Sequence, residues 1–398
     1  GTYSSDSHKI VFAGFNQLNK CEQVIFNELL KRGEAEVYWN ADKYYLDDDK
    51  QEAGRFLKKN FIDLNINEPL WKENNLRTST KIIEVIGAPL EVSQVKILGS
   101  RLKQLSAEEL SDTAIVLPDD SMLLPLLNSL PQNCEAVNVT MGYSFRGSRL
   151  YSLLKLVMEL QKNISGSGKS AAFYHRDVIG VLLHPLVKQF APAEADMAVN
   201  TINRRNIIYA SQKFLNESFK GSDCGIVKGL FLPAATASEL YEYISRLLVG
   251  LGEFSNSAKG SAQFETEILN RVYTELNRLN SISAQHTGEI DKETFGRIFM
   301  EAAASLKIPF SGEPLKGLQV MGMLETRSLD FKNVFILSVN EGILPGDNSL
   351  SSFIPYALRR SFRMPLAEDE QAASAYNFYS LLQRAENVTL LYNTETGT

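Results

Sequence analysis

The segment GSGKS at residues 166–170 is the first place where the sequence suggests chemistry, because Gly-Lys-Ser ends the loops that bind nucleotide phosphates. A complete loop of this kind needs a glycine five residues before Gly168, and that position holds Asn163. It also needs a preceding strand, so that the phosphate meets the start of a helix, whereas residues 150–161 have helical spacing. We therefore interpret the segment as a flexible Gly/Ser connection.

Other catalytic patterns are incomplete. A PD-(D/E)xK nuclease needs acidic residues and a lysine around one metal ion. Pro118-Asp119 has no (D/E)xK in the strands that follow, and Asp48-Asp49-Lys50 has no preceding acid. The cysteines and histidines are few and scattered, which indicates reduced cysteines of a cytoplasmic protein and no metal centre. They are Cys21, Cys134, Cys224, His8, His175, His184 and His286.

Composition narrows the class of protein further. The chain has 398 residues, 47 acidic against 41 basic, and a net charge of −6. This balance argues against broad, non-specific coating of DNA, although a local basic groove remains compatible with it. The length predicts two or three domains, and no apolar run reaches the roughly 18 residues of a membrane span. The start at Gly1, with no signal peptide, suggests a fragment of a longer chain.

The hydrophobic pattern alternates between strands and helices in the first 149 residues. Strands are predicted at residues 9–14, 35–39, 81–86, 113–117 and 135–140. Residues 150–307 are then helical apart from one expected strand at 226–230. Strands return at 318–323, 333–338 and 388–392, with a helix over 368–385. The pattern predicts an α/β fold, a parallel sheet with helices on both faces, interrupted by a large all-helical insertion.

Residues 319–345 form the most informative stretch, with two strands joined by a loop that carries Arg327, Asp330 and Phe331. The second strand leads to Glu341 and Gly342. Because parallel sheets bind ligands at the carboxyl ends of their strands, both loops belong to a candidate functional edge. A purely structural interpretation is also open, in which Arg327 pairs with Asp330, Phe331 lies in the core and Gly342 forms a turn.

This stretch resembles motif V of the superfamily 1 (UvrD/RecB-like) DNA helicases, in which a strand, a KGLEF loop and a second strand lead to EG..P. Here the loop reads RSLDF at residues 327–331 and the tail reads EGILP at 341–345. The helix over 368–385, which ends in Gln383-Arg384-Ala385, resembles motif VI. The resemblance implies RecA-like domains, with the helical insertion at the place of the 2B subdomain.

Within that superfamily the chain is most similar to the AddB subunit of AddAB-type helicase–nucleases and to its relative RecC. The resemblance implies the tail of a first RecA-like domain at residues 1–80, with Asn40-Ala41-Asp42 near motif III. The second domain would occupy 81–149 and 311–398, around an insertion at 150–310. Neither a phosphate loop nor an acidic Mg²⁺ pair is recognisable, so ATP and Mg²⁺ are expected only in a partner or in the full complex.

The resemblance also implies roles for individual arginines. Arg327 would lie near the backbone of single-stranded DNA. Arg384 would face a vestigial nucleotide cleft together with Glu341, Gly342 and Asp330, and without a phosphate loop it is expected to pair with Glu341 or Asp330.

Two further sets of residues are DNA-binding candidates. Arg359, Arg360 and Arg363 form a positive run that either contacts phosphates or is a solvated helix end. Tyr143, Phe145 and Arg146 interleave aromatic and basic side chains, so that the two rings either stack on unpaired bases or cap the sheet.

Three functions are compatible with these patterns. The favoured one is a non-catalytic helicase-like module of an AddB-type DNA repair and recombination exonuclease subunit. It would bind single-stranded DNA and an AddA-like helicase–nuclease partner. The second is a vestigial scaffold that only docks a partner subunit. The third is part of an active ATP-dependent helicase or exonuclease whose catalytic residues lie elsewhere.

Overall fold

Six parallel strands form the largest sheet of the computed structural model, which describes residues 9–67, 69, 72–166, 168–219, 225–257, 262–285, 290–309, 317–346 and 353–395. The strands in this part of the chain are β1 Ile10–Ala13, β2 Ala35–Tyr38, β3 Ile82–Ala88, β4 Thr113–Val116, β5 Val137–Val139, β6 Tyr143–Ser144, β7 Ala172–Tyr174, β8 Tyr209–Ser211, β9 Lys307–Ile308, β10 Leu318–Met321, β11 Asn333–Ile336 and β12 Asn387–Asn393.

The helices are α1 Lys20–Lys31, α2 Lys43–Leu46, α3 Arg55–Asp63, α4 Asn75–Thr78, α5 Glu91–Leu102, α6 Ala107–Ser111, α7 Leu123–Ser129, α8 Arg149–Lys162, α9 His175–Leu183, α10 Pro185–Lys188, α11 Pro192–Arg204, α12 Gln212–Ser218, α13 Gly225–Gly229, α14 Ala237–Ser257, α15 Ala262–Gln285, α16 Lys292–Ala304, α17 Tyr356–Ser361 and α18 Ala367–Leu382. None of the helices in the described residues is long and apolar enough to cross a membrane.

The chain divides into two compact units. The sheet unit comprises Gly1–Met141 and Phe310–Thr398, and the helical unit comprises Gly142–Pro309. The helical unit therefore enters between β5 and β10, which are neighbours in the six-stranded sheet. It begins at Gly142, eight residues before the predicted start of the insertion at residue 150.

The six-stranded sheet has the order β3-β12-β11-β4-β10-β5, and every pair in it is parallel. Alternate residues face opposite sides. Ala114 and Val334 pack with Leu381 of α18 on one side. Helix α5 covers the side chains on the other side, which include Glu84. The Glu84 carboxylate pairs with Arg101 of α5 at 3.2 Å. Because both sides are covered, the central strands read as continuous apolar runs rather than as alternating ones.

The N-terminal segment of the sheet unit forms a separate two-stranded parallel sheet, β1-β2. Its helix α1 starts at a capping box. The Asn19 side chain accepts from the Glu22 backbone amide at 2.9 Å, and the Glu22 carboxylate accepts from the Asn19 backbone amide at 2.8 Å. A core that includes Trp39 and Tyr45 fills the space beneath this sheet, and Tyr376 of α18 belongs to the same core. Helix α18 thus contributes side chains to this core and to the one that contains Ala114 and Val334.

The helical unit contains two short antiparallel ribbons, β6-β9 and β7-β8, which the sequence did not predict. The first ribbon joins the two ends of the unit, since Tyr143 pairs with Ile308. The strand predicted at residues 226–230 is wrong, because this segment forms helix α13 with Val227 buried. A short apolar run has no periodicity that separates a strand from a buried helical turn, and packing decides between them.

The structure confirms the predicted α/β class, the parallel sheet with helices on both faces and a predominantly helical insertion. Cys21 is exposed and Cys134 is partly buried, both with free thiols. His8, Cys224 and His286 lie outside the described residues.

The centre of the sheet is a testable source of stability. Ile115 is fully buried on β4, whereas Ile82 on the edge strand β3 is 62% exposed. We expect Ile115→Ala to lower the free energy of unfolding by about 2–5 kcal/mol, because it leaves a cavity between tightly packed side chains. Ile82→Ala is the matched control, with an expected change of about 0.5 kcal/mol or less. Urea titration followed by circular dichroism measures both, and equal losses would contradict this packing.

Candidate functional site

The loop between β10 and β11 is a compact turn that presents Arg327 to solvent. The Thr326 hydroxyl donates to the Met323 carbonyl at 2.8 Å, and the Leu329 amide donates to the Thr326 carbonyl at 3.2 Å. Ser328 has a φ of +59°. Its hydroxyl lies against Gly14, where an added Cβ would approach it to 2.3 Å. The loop is thus fixed by its own bonds and by contact with the end of β1, while Arg327 stays exposed.

Arg384 lies just after α18 and binds two carboxylates from distant parts of the chain. Its Nη1 donates to both oxygens of Asp330, at 2.9 and 3.0 Å. Its Nη2 lies 3.1 Å from Glu73 Oε1. Burial lowers the pKa of Arg384, but the hydrogen bonds and charges of Asp330 and Glu73 outweigh this effect and hold the pKa above its ordinary value. The guanidinium is therefore a permanent, neutralised charge.

Asn40, at the end of β2, connects the N-terminal segment to α18. Its amide nitrogen donates to the Ser380 hydroxyl at 2.7 Å, and its carbonyl accepts from the hydroxyls of Tyr45 and Tyr376, both at 3.0 Å. Burial raises the pKa of Tyr45 and raises that of Tyr376 to about 12, so both phenols keep their protons and donate. Two tyrosine hydroxyls thus fix the Asn40 backbone carbonyl, and Ser380 fixes the Asn40 side chain.

Glu73 is held in place by the same N-terminal segment. Its amide donates to the Ala41 carbonyl at 2.9 Å, and its own carbonyl accepts from the Lys43 amide at 2.8 Å. Its carboxylate also accepts from the Gln383 side chain at 3.0 Å. Arg384, Asp330, Glu73 and Asn40 form a group that we call the Arg384 cluster.

A narrow recess beside the Arg327 loop is lined by Gly14, Arg327, Tyr376 and Asn377. The positive charge of Arg327 lowers the pKa of Tyr376 against the larger effect of burial, which places the guanidinium near this tyrosine. Asn377 Oδ1 is buried and has no hydrogen-bond partner among the described residues. The exposed Arg327 guanidinium therefore lies close to two buried side chains, Tyr376 and Asn377.

The predicted partners of Arg384 are found in part. The pairing with Asp330 is present, whereas Glu341 and Gly342 lie in the exposed turn after β11, where Gly342 has a φ of +80°. Phe331 is buried in the core beneath the sheet. Sequence reasoning missed Glu73, because residues 72–74 have no periodic pattern and their contact with β2 depends on the fold.

Tyr143 and Phe145 are not exposed rings, which corrects the prediction that they stack on bases. Tyr143 is 7% exposed and Phe145 is fully buried in the helical unit. Tyr143 packs on Phe264 with ring centroids 5.6 Å apart, and Phe145 packs on Tyr151 at 5.5 Å. Tyr143 lies on strand β6, whereas Phe145 and Arg146 form a 3₁₀ turn after it, and of this set only Arg146 is exposed.

Arg359, Arg360 and Arg363 lie on and just after α17, a helix without a buried residue. The Arg359 Nε donates to the Pro365 carbonyl at 3.0 Å. Arg360 and Arg363 are exposed, and within the described residues neither forms an ion pair. These arginines are accessible, but carboxylates at the start of α18 lie nearby, as the effect of Arg360 on the pKa of Glu368 indicates.

The GSGKS segment has the reverse order of a phosphate loop. Gly168–Ser170 forms a 3₁₀ turn that follows helix α8 and precedes strand β7. Ser167 and the side chain of Lys169 lie outside the described residues. Among the described residues, no group of three or more His, Cys, Asp or Glu side chains is arranged to hold a metal ion.

Comparison with known proteins gives no assignment. No protein-family model matches the chain, and no curated protein matches it significantly.

Arg384→Ala tests the energetic role of the Arg384 cluster. We expect a loss of about 2 kcal/mol in the free energy of unfolding, because the variant removes hydrogen bonds from two carboxylates. The expected loss is smaller than the roughly 3–5 kcal/mol that follows when one partner of a fully buried ion pair is removed, because a quarter of the Arg384 side chain is exposed. Arg32→Ala breaks an exposed pair with Glu28 and serves as the control, with about 1 kcal/mol or less. Urea titration compares the two, and similar losses would contradict a stabilising cluster.

Proposed function

We propose that this chain is a non-catalytic, helicase-like module of an AddB-type DNA repair and recombination subunit. It binds single-stranded DNA through the Arg327 loop and works in the cytoplasm with an AddA-like helicase–nuclease partner. ATP and Mg²⁺ act in that partner or in the complete complex. The observation that carries the proposal is the contrast between an exposed Arg327 and a neutralised Arg384 on adjoining segments.

The state of Arg384 supports a binding role over ATP hydrolysis. The resemblance to motif VI assigns this arginine to the γ-phosphate in active relatives. Here the guanidinium already has one carboxylate on each side, so an incoming phosphate would compete with Asp330 and Glu73 and would be repelled by both. The arginine thus stabilises the closed arrangement of α18 and the N-terminal segment.

The state of Arg327 supports contact with a nucleic-acid backbone. The resemblance to motif V implies that this residue contacts the DNA strand, and the loop holds it at the carboxyl edge of a parallel sheet, where such folds bind ligands. Because the turn is fixed by Thr326 and by the contact of Ser328 with Gly14, binding loses little entropy in ordering the loop.

A scaffold without DNA binding is the second candidate, and the net charge of −6 favours it. An active helicase is the third. ATP turnover by the purified chain that is lost in Lys169→Ala would establish the third candidate and overturn the proposal.

The salt dependence of binding tests the Arg327 contact. We expect a fluorescent single-stranded oligonucleotide to bind with an affinity that falls as salt rises. Arg327→Ala should weaken binding. It should also make the plot of log binding constant against log salt concentration less steep by about 0.7, the value for one phosphate contact on a single strand. Arg297→Ala removes an equal charge from an exposed i,i+4 pair and should leave the slope unchanged. Absence of binding at low salt, with the partner subunit present, would favour the scaffold.

A further inference from the structure

Strand β3 forms one edge of the six-stranded sheet, and its outer side is open. Within the described residues β3 pairs only with β12, which lies on its inner side. Ile82, Ile83 and Val85 are 62%, 55% and 65% exposed, although apolar side chains of parallel strands are usually covered. β3 has seven residues, whereas β5 at the opposite edge has three. Short edge strands limit pairing with other chains, and β3 is not short.

The backbone of β3 presents a regular row of hydrogen-bonding groups on this open side. The Ile82 amide donates to the Glu386 carbonyl, just before β12, at 2.8 Å. In a parallel ladder both groups of one residue point to the same neighbour, and the direction alternates along the strand. The even-numbered residues of β3 therefore bond to β12. The amides and carbonyls of the odd-numbered residues, Ile83, Val85 and Gly87, point away from it.

The charged side chains of this region do not protect the edge. The Lys81 ammonium donates to the carbonyls of Gln383 and Ala385 at 2.9 and 2.8 Å. The Glu84 carboxylate pairs with Arg101 at 3.2 Å. Both groups are thus engaged within the sheet unit, and the strand itself contains no proline. Proteins commonly use a free charge, a proline or a bulge to keep an edge of this length from pairing with another chain.

The open side has the chemistry that a polypeptide strand recognises. Its outward amides and carbonyls recur every second residue, about 6.6 Å apart, and a second extended backbone matches this spacing with both donors and acceptors. Phosphates would supply acceptors for the amides but no donors for the carbonyls. The strand also carries neither an aromatic ring for base stacking nor an arginine. Exposed isoleucine and valine side chains pack well against those of a neighbouring strand.

We propose that β3 pairs antiparallel with β3 of a second copy of this chain, about a two-fold axis at Val85. This register uses the whole strand, because Ile82 then lies opposite Ala88 of the second copy. Val85 lies opposite its own counterpart, and Ile83 lies opposite Gly87. Each of these pairs joins residues whose backbone groups point outward, so each exchanges two hydrogen bonds.

The side chains of β3 are complementary to one another in this register. A Cβ added to Gly87 would lie 2.9 Å from the Tyr392 hydroxyl, so the tyrosine side chain lies across the glycine. Ile83 of the second copy comes opposite this glycine and packs on the partly exposed ring. Glu84 lies opposite Ile86, whereas a register centred on Glu84 would oppose two carboxylates. One strand thus carries both a bulky side chain and the gap that receives it, which is the property of an isologous interface.

Sedimentation velocity of wild type and Val85→Pro tests the pairing. A single pair of strands buries less than the roughly 1,200 Å² of standard interfaces, so concentrations from about 1 to 200 μM are needed. We expect a wild-type dimer and, for Val85→Pro, a dissociation constant at least about tenfold higher. Proline removes an amide that points to the second copy and not to β12, a position at which edge strands tolerate it. Val85→Thr keeps this amide and is the matched control, with an unchanged dimer.

Ile83→Lys tests the same edge without altering the backbone. A lysine here places a charge in the row of apolar side chains, and we expect a monomer over the same concentrations. Circular dichroism of each variant verifies that it folds, so that a loss of dimer in Ile83→Lys remains decisive if Val85→Pro unfolds.

Disulfide formation tests the register in a chain whose exposed Cys21 is replaced by serine. Directly opposite residues of a hydrogen-bonded pair have Cα atoms about 5.5 Å apart, within the range of a disulfide. We therefore expect Val85→Cys to form a covalent dimer on mild oxidation. Ile83→Cys is the control, because its two copies would lie about 13 Å or more apart along the strands.

The outcomes that would overturn this inference are distinct. A wild-type chain that stays monomeric at the highest concentration excludes the pairing. A dimer that survives Ile83→Lys uses another surface. Cross-linking through Ile83→Cys as efficient as through Val85→Cys contradicts the two-fold register. Species that keep growing with concentration would show open-ended association of the edge in place of a closed pair. The pairing uses no residue assigned to DNA binding, so the Arg327 salt titration is independent of it.

Discussion

The sheet unit depends on one half-buried guanidinium that has to be neutralised. Arg384 would be costly in its position without Asp330 and Glu73, since removing a charge from water is compensated only by close partners with good geometry. Its partners come from a loop of the six-stranded sheet and from the N-terminal segment, so the Arg384 cluster forms only when both are in place. A two-stranded parallel sheet such as β1-β2 is marginal alone, and α18 supplies it with Tyr376 for its core and with a polar anchor at Asn40.

The same constraint separates two arginines that the sequence presents as similar. Arg384 pairs with Asp330 and with Glu73, and it thereby connects the β10–β11 loop to the N-terminal segment. Arg327, in contrast, is exposed on a turn whose hydrogen bonds are internal. An arginine attracts an external anion strongly only where the protein's own carboxylates do not already neutralise its charge. The charge of Arg384 is thus neutralised within the sheet unit, whereas the charge of Arg327 remains exposed at its surface.

Sequence patterns predicted the elements better than their contacts. The strands β3, β4, β10, β11 and β12 follow from short apolar runs, and their parallel arrangement follows from the intervening helices. The pairing of Arg384 with Asp330 was also predictable. Which side chains become buried was not predictable: Phe145 alternates with basic residues in the sequence, yet it is fully buried in the 3₁₀ turn after β6. Glu73 joins the cluster through a contact with β2 that no local pattern encodes.

Neighbouring side chains, rather than residue type, also distinguish the basic surfaces of the sheet unit. Beside Arg327 lie the buried side chains of Asn377 and of Tyr376, whose hydroxyl keeps its proton and donates to the Asn40 carbonyl. Beside Arg360 lie the exposed side chains of Leu358 and Phe362 and the acids that begin α18. The potential around each arginine therefore depends on its neighbours, and the net charge of −6 does not by itself determine it.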